Sequence, residues 1–149
     1  MTTATRFTSL DRTSSLAILA RHNVGRLAFT FRDRADIQPL NYVFDEQWLY
    51  GRTQVGSKLV QLAHNRWCAF EVDEVRGMFD WDSVVVRGSF EDLDPERGSS
   101  DAYLRGVELL ESLCPGILTA DDPAPSRLIL FRIHIDEVTG RSARPGSDE

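Results

Sequence analysis

The sequence lacks any apolar run near the roughly 20 residues that cross a bilayer. Its longest, such as Leu16 to Ala20 and Leu128 to Phe131, are short, so no membrane partner is expected. It also has no cluster of basic residues, and its formal net charge is −6. Nucleic acid and anionic surfaces, whose affinity rests on grouped Lys and Arg, are therefore excluded as expected partners. Cysteine is scarce. Cys68 and Cys114 lie far apart within apolar patterns, which predicts buried free thiols rather than a disulfide. The opening Met-Thr-Thr-Ala-Thr-Arg-Phe-Thr-Ser holds no apolar export segment, and a cytoplasmic protein is expected. His22, His64 and His134 are scattered; His64 and Cys68 stand four apart, but nothing nearby completes a ligand set, so no metal site is expected. Neither Gly-x-Ser-x-Gly nor Gly-x-Gly-x-x-Gly occurs, which removes local support for a hydrolase elbow or a dinucleotide fold.

What is present suits one ordinary globular domain: 149 residues, 42% hydrophobic and 27% charged, enough for one core and too few for two. Residues 1–10 are polar and threonine-rich and predict a loosely held arm; 11–139 form the domain; 140–149, with Gly, Pro and Ser, predict a disordered tail. Within the domain six runs alternate with period two: 25–32, 39–44, 48–53, 67–72, 81–93 and 127–138. Helices are expected over 13–22, capped by Asp11 or Thr13 and buried through Leu16, Leu19 and Ala20, and over 100–113, buried through Tyr103, Val107 and Leu110. A further helix is expected to open at Gly56. With no regular strand–helix–strand repeat, the fold class is α+β with a mostly antiparallel six-stranded sheet and short flanking helices, and Gly88 marks a bend within the long fifth strand. Paired carboxylates such as Asp45-Glu46, Asp73-Glu74, Asp80 with Asp82, and Asp121-Asp122 read as solvated turn charges.

The stretch from Pro39 to Leu62 concentrates the chemistry. Pro39 cannot donate to a ladder, which suggests an edge or a ligand-facing opening. Beyond the strand that begins at Trp48 come Arg52, Thr53, Gly56, Ser57 and Lys58: two cations, two hydroxyls and two glycines, Gly51 included, where a new helix leaves its first N–H groups unpaired. A phosphate monoester fits such a set. The order Gly56-Ser57-Lys58 is not the Gly-Lys-Ser/Thr of a P-loop, so a nucleoside triphosphatase is excluded. Ser57 as a plain helix cap with Lys58 in solvent accounts for the same residues equally well.

Taken in order, Asn23-Val24-Gly25-Arg26-Leu27-Ala28, Pro39-Leu40-Asn41-Tyr42, Leu49-Tyr50-Gly51-Arg52-Thr53, Gly56-Ser57-Lys58-Leu59, Phe70-Glu71-Val72-Asp73 and Trp81-Asp82-Ser83-Val84-Val85-Val86-Arg87-Gly88 resemble the pyridoxamine 5′-phosphate oxidase-like family of flavin-binding split β-barrels, nitroimidazole-resistance-type reductases included, over roughly residues 15 to 138. That resemblance implies a split barrel, a homodimer with FMN at the subunit interface, and hydride exchange at flavin N5 with a small-molecule substrate. It implies that Arg52, Thr53, Ser57 and Lys58 grip the phosphate, that Pro39, Leu40, Asn41 and Tyr42 border the isoalloxazine, and that Trp81 lies near the flavin and the interface. No acid–base residue is nominated, and none is needed if the cofactor carries the chemistry. The basic cluster would also suit F420, the alternative cofactor; a flavin carrier without turnover is the alternative function. The vitamin-forming oxidase itself is disfavoured, because Arg141 and Arg144 fall in the expected tail rather than in a substrate site.

Overall fold

Period-two alternation becomes a single antiparallel sheet whose inner face supplies the main core. The computed structural model describes residues 3–57, 59, 62, 65–96 and 100–146. In chain order these form β1 (Arg6–Leu10), α1 (Arg12–Arg21), β2 (Val24–Phe31), β3 (Arg34–Asn41), β4 (Val43–Asp45), β5 (Trp48–Thr53), β6 (Trp67–Gly77), β7 (Asp80–Asp92), α2 (Ser100–Leu113) and β8 (Ile129–Arg144). The strands lie in the order β3-β2-β6-β7-β8-β5-β4, with β1 beside β8. Strands β3 and β4 follow each other in the chain, divided by Tyr42, yet stand at opposite ends of that order. The sheet must therefore curl until its two ends approach, which gives an open, split barrel rather than a flat layer. The Tyr42 N–H donates to the Asn23 carbonyl at 3.0 Å at this seam.

Inside the curl pack Leu27 and Phe29 of β2, Phe70 and Val72 of β6, Val84, Val86 and Phe90 of β7, and Phe131, Ile133 and Ile135 of β8, joined by Ile18 and Leu19 of α1. A second cluster lies under α2, where Tyr50, Leu93, Ala102, Leu110, Ile117 and Leu130 meet. Asp11 caps α1 by accepting from the Ser14 N–H at 2.7 Å.

Several expectations are corrected. Among the described residues eight strands replace six. The run over 39–44 breaks at Tyr42, because the chain leaves β2 after Asn41 and pairs with β5 from Val43 on. Residues 6–10 are no loose arm: they pair along Gly140–Arg144, so the segment expected as a disordered tail is the last third of β8 up to residue 144. Gly140 and the polar Arg141 and Ser142 hid that strand from its pattern, although β8 is flanked there by both β7 and β1, and Ser142 and Ala143 are buried. In α1 the buried face is Ser15, Ile18 and Leu19, with Ala20 exposed. In α2 it is Ala102, Gly106 and Leu110, since small side chains let the helix approach Tyr50 and Leu130. Most of the helix expected at Gly56 lies outside the described residues, as does His64; within it Leu59 and Leu62 are buried.

The expected bend at Gly88 is present. The β7–β8 register shifts between Arg87 and Gly88, and a Cβ at Gly88 would lie 1.8 Å from the His134 carbonyl oxygen, a distance only glycine avoids.

Candidate functional site

Where the two ends of the curled sheet approach, a cleft of about 440 Å³ opens, within the range of small-molecule sites. Gln38, Pro39 and Leu40 of β3 form one wall; Arg52 and Thr53 of β5, then Gln54 and Ser57, form the other, and Arg127 joins them from just ahead of β8. Strand β3 is at the edge of the sheet, so the N–H that Pro39 lacks removes no ladder bond. Gly56, at φ +82°, takes the third place of a turn closed by Ser57 N–H donating to the Gln54 carbonyl at 3.2 Å, a place that favours glycine. The Ser57 hydroxyl accepts from the Leu59 N–H at 3.2 Å, a capping bond that leaves its own O–H free to turn toward the cleft.

Five of the candidate residues, Pro39, Leu40, Arg52, Thr53 and Ser57, are thus brought to one cleft from two strands and a turn. Asn41 lines an adjoining cleft of about 360 Å³ with Asn23, Leu110, Leu113, Ile117 and Ala124, a mostly aliphatic wall from α2 and the loop after it. Tyr42 is placed in the core, where its hydroxyl donates to the Leu19 carbonyl at 2.7 Å; that burial raises its pKa. Trp81 pairs with Ala143 near one end of β8, whereas Thr53 pairs with Ile129 at the other, and the Trp81 ring packs beside Phe7. Within one chain Trp81 is therefore remote from the cleft. Lys58 lies outside the described residues.

The main surprise is Asp122. The sequence suggests a solvated turn, but its side chain is only 1% exposed and makes a two-pronged ion pair with Arg52, Nη1 to Oδ2 at 2.6 Å and Nη2 to Oδ1 at 2.8 Å. The N–H groups of Leu118 and Ala124 donate to the same carboxylate, each at 2.8 Å. The Arg52 guanidinium, helped by these N–H groups, holds the Asp122 carboxyl far below the usual carboxylate range. Arg52 also donates to the Arg127 carbonyl at 3.2 Å. Arg52 and Arg127 belong to the walls of both clefts.

Other carboxylates that the sequence assigns to turns lie in strands and are likewise engaged. Asp82 is buried and receives Arg144 at 2.9 and 3.0 Å and Arg76 at 3.1 Å, so Arg144 is an ordered brace and not a free tail cation. Glu74 binds Arg21 and faces His22 Nε2 at 2.8 Å, and Asp45 receives Arg105 at 3.2 Å. Asp122 reads in the sequence as a solvated turn charge, and Arg127, Gln38 and Gln54 read there as no part of the site. A Pro- and Asp-rich stretch some 70 residues from Arg52 carries no spacing that would connect it to the site; Gln54, between Thr53 and Gly56, was the one within reach of a local reading.

Known proteins resemble this chain over most of its length. A family model described as pyridoxamine 5′-phosphate oxidase matches residues 11–142. An uncharacterized protein of Rhizobium meliloti is 27% identical over 147 residues, covering 92% of this chain and 95% of its own. Among solved structures, a FAD-binding protein from Mesorhizobium loti superposes with a TM-score of 0.73 at 27% identity, covering 95% of this chain and 99% of that one. A FAD-binding protein from Mycobacterium smegmatis gives 0.66 at 25% identity, covering 92% and 99%. A nitroimidazole antibiotic resistance protein from Bacteroides thetaiotaomicron, 15% identical with a TM-score of 0.72 over 100% of this chain and 95% of its own, shares the fold.

Proposed function

The chain belongs to the pyridoxamine 5′-phosphate oxidase family, and from that premise we propose that it binds a flavin in the seam between β3 and β5 and works as a flavin-dependent oxidoreductase on a small molecule. The observation that carries this reading is the convergence of Pro39, Leu40, Arg52, Thr53 and Ser57 on one cleft, although residues 41–51 of the chain divide the two walls. The donor set suits the group. Hydroxyls at Thr53 and Ser57, amides at Gln38 and Gln54 and a guanidinium at Arg127 match a phosphate ester, and the adjoining aliphatic cleft suits a flat, weakly polar body.

A bound flavin supplies the hydride exchange; the chain's residues bind it, orient it and hold water off one side. FMN is the proposed form. FAD is its main rival, since relatives at 25–27% identity are named for it, and F420 follows. We further propose a homodimer. The exposed Phe7, Val75, Met78 and Phe79, close to Trp81 at the β6–β7 turn, would lie against the second copy.

Titrating the purified protein with FMN, FAD and F420 while following cofactor fluorescence tests the reading. FMN should be quenched with a micromolar or tighter Kd, and anaerobic addition of NADH or NADPH should bleach the bound flavin until an acceptor restores it. Absence of binding to any of the three overturns the proposal. Flavin that binds but never cycles with any donor makes the protein a carrier. Light scattering on the eluted protein should give twice the 16.8 kDa chain mass.

A further inference from the structure

Among the described residues, the two clefts at the seam carry two cations, Arg52 and Arg127. They are not equivalent. Both terminal nitrogens of Arg52 are taken by Asp122, at 2.6 and 2.8 Å, and the two side chains are only 9% and 1% exposed. Their charges cancel within a few ångströms. Turning Arg52 toward an incoming anion would leave the Asp122 carboxylate buried without its counter-charge, a strongly unfavourable exchange.

Arg127 is the opposite case. Its side chain is exposed, and its guanidinium has one long contact, Nη1 to Asn41 Oδ1 at 3.4 Å. Its backbone, by contrast, is fixed at both ends of the residue: the N–H donates to the Ala124 carbonyl at 3.0 Å, and the carbonyl accepts from Arg52 at 3.2 Å. A rigid backbone carrying an uncommitted, solvent-reaching guanidinium between two clefts is a favourable arrangement for capturing a mobile anion, because little backbone freedom is lost on binding.

We infer that of the two arginines in this seam Arg127 binds the phosphate ester of the ligand, and that Arg52, braced by Asp122, is a positioning residue that presents it. The ligand class is a phosphate monoester or a phosphodiester end, held by a planar guanidinium together with the Thr53 and Ser57 hydroxyls. The inference rests on the proposed flavin site and departs from the family resemblance, which gives the phosphate to Arg52 with Thr53, Ser57 and Lys58 and does not include Arg127.

The test compares wild type with Arg127→Gln, an exposed change compatible with folding, using FMN, phosphate-free riboflavin and inorganic phosphate as probes. Wild type should bind FMN at least about 10-fold more tightly than riboflavin, as a charge-assisted contact requires, and Arg127→Gln should erase that preference while leaving riboflavin affinity within about 2-fold. Arg127→Lys should restore part of it. The affinity of wild type for FMN should fall with added salt, and that dependence should flatten in Arg127→Gln. Arg52→Gln should weaken FMN and also lower the melting temperature, whereas Arg127→Gln should leave melting unchanged.

An FMN preference that survives in Arg127→Gln overturns the assignment while the flavin reading stands. Equal loss of FMN and riboflavin overturns it too. Should wild type bind no flavin, the flavin reading fails by itself, and phosphate decides the role of Arg127. Phosphate-induced thermal stabilisation lost in Arg127→Gln supports it; stabilisation equal in both proteins, or absent from both, overturns it.

Discussion

Glu74 shows how much of this surface is bracing. Its carboxylate binds Arg21 and faces His22, and the Arg21 contact, with a smaller part from His22, lowers its pKa from 4.5 to about 2. A depressed carboxylate contributes stability above its unfolded value and loses it as pH falls through the folded one. Urea midpoints measured from pH 6 to pH 2 should therefore decline below about 4.5, and Glu74→Gln should be less stable at pH 6 and decline less steeply. Tyr42 is the other residue whose role turned on geometry. Alternation alone leaves it free to face a ligand, but its ring is in the core and its hydroxyl bonds the Leu19 carbonyl. Tyr42→Phe keeps the packing and leaves that carbonyl unpaired; chemical denaturation should register a loss of about 1 kcal/mol, with ligand affinity untouched.

At the scale of elements, a strand and a loop decide whether the seam exists. Gly88 lets β7 shift register against β8, and a methyl group there would collide with the His134 carbonyl. Gly88→Ala should lose about 3 kcal/mol or fail to accumulate as folded protein, measured by denaturation or by soluble yield. The stretch between α2 and β8 is held by Arg52 and Asp122 with both side chains buried, whereas the Arg105–Asp45 pair is far more exposed, its side chains at 43% and 25%. Arg52→Met should lower the melting temperature clearly more than Arg105→Met does, since only the first strands a buried charge. These elements also show what a sequence reveals. The strand at 25–31 was legible because Leu27, Phe29 and Phe31 alternate, those at 48–53 and 81–92 because aromatic and β-branched residues gather there, and the phosphate-suited set at 52–57 because its members are adjacent. Strand β1 and the far part of β8 were not, since polar side chains and Gly140 conceal a strand whose pairing is decided by neighbours distant in sequence. Asp122 was not, because a carboxylate in a Pro-rich loop carries no local sign of the arginine it meets.

For the whole molecule, the order of strands matters more than any one of them. The seam exists because β3 and β5 approach only after the sheet has curled, and β5 holds its place through β8. Arg127 and Asp122 likewise reach the seam from the segment just ahead of β8. A chain ended after residue 126 should keep the β2–β3 and β6–β7 hairpins in sequence yet show no cooperative unfolding transition and no affinity for FMN, by circular dichroism and fluorescence.

Strand β8 is paired with β1, β5 and β7, so the last of the described strands joins the first and two from the middle. A nascent chain cannot assemble this architecture until β8 has cleared the ribosome, however long translation pauses before it. Folding should be comparatively slow, since contacts span most of the polypeptide. A small molecule that binds the seam would enter only once β8 has closed it, and its supply at that moment would set how much of the protein becomes loaded.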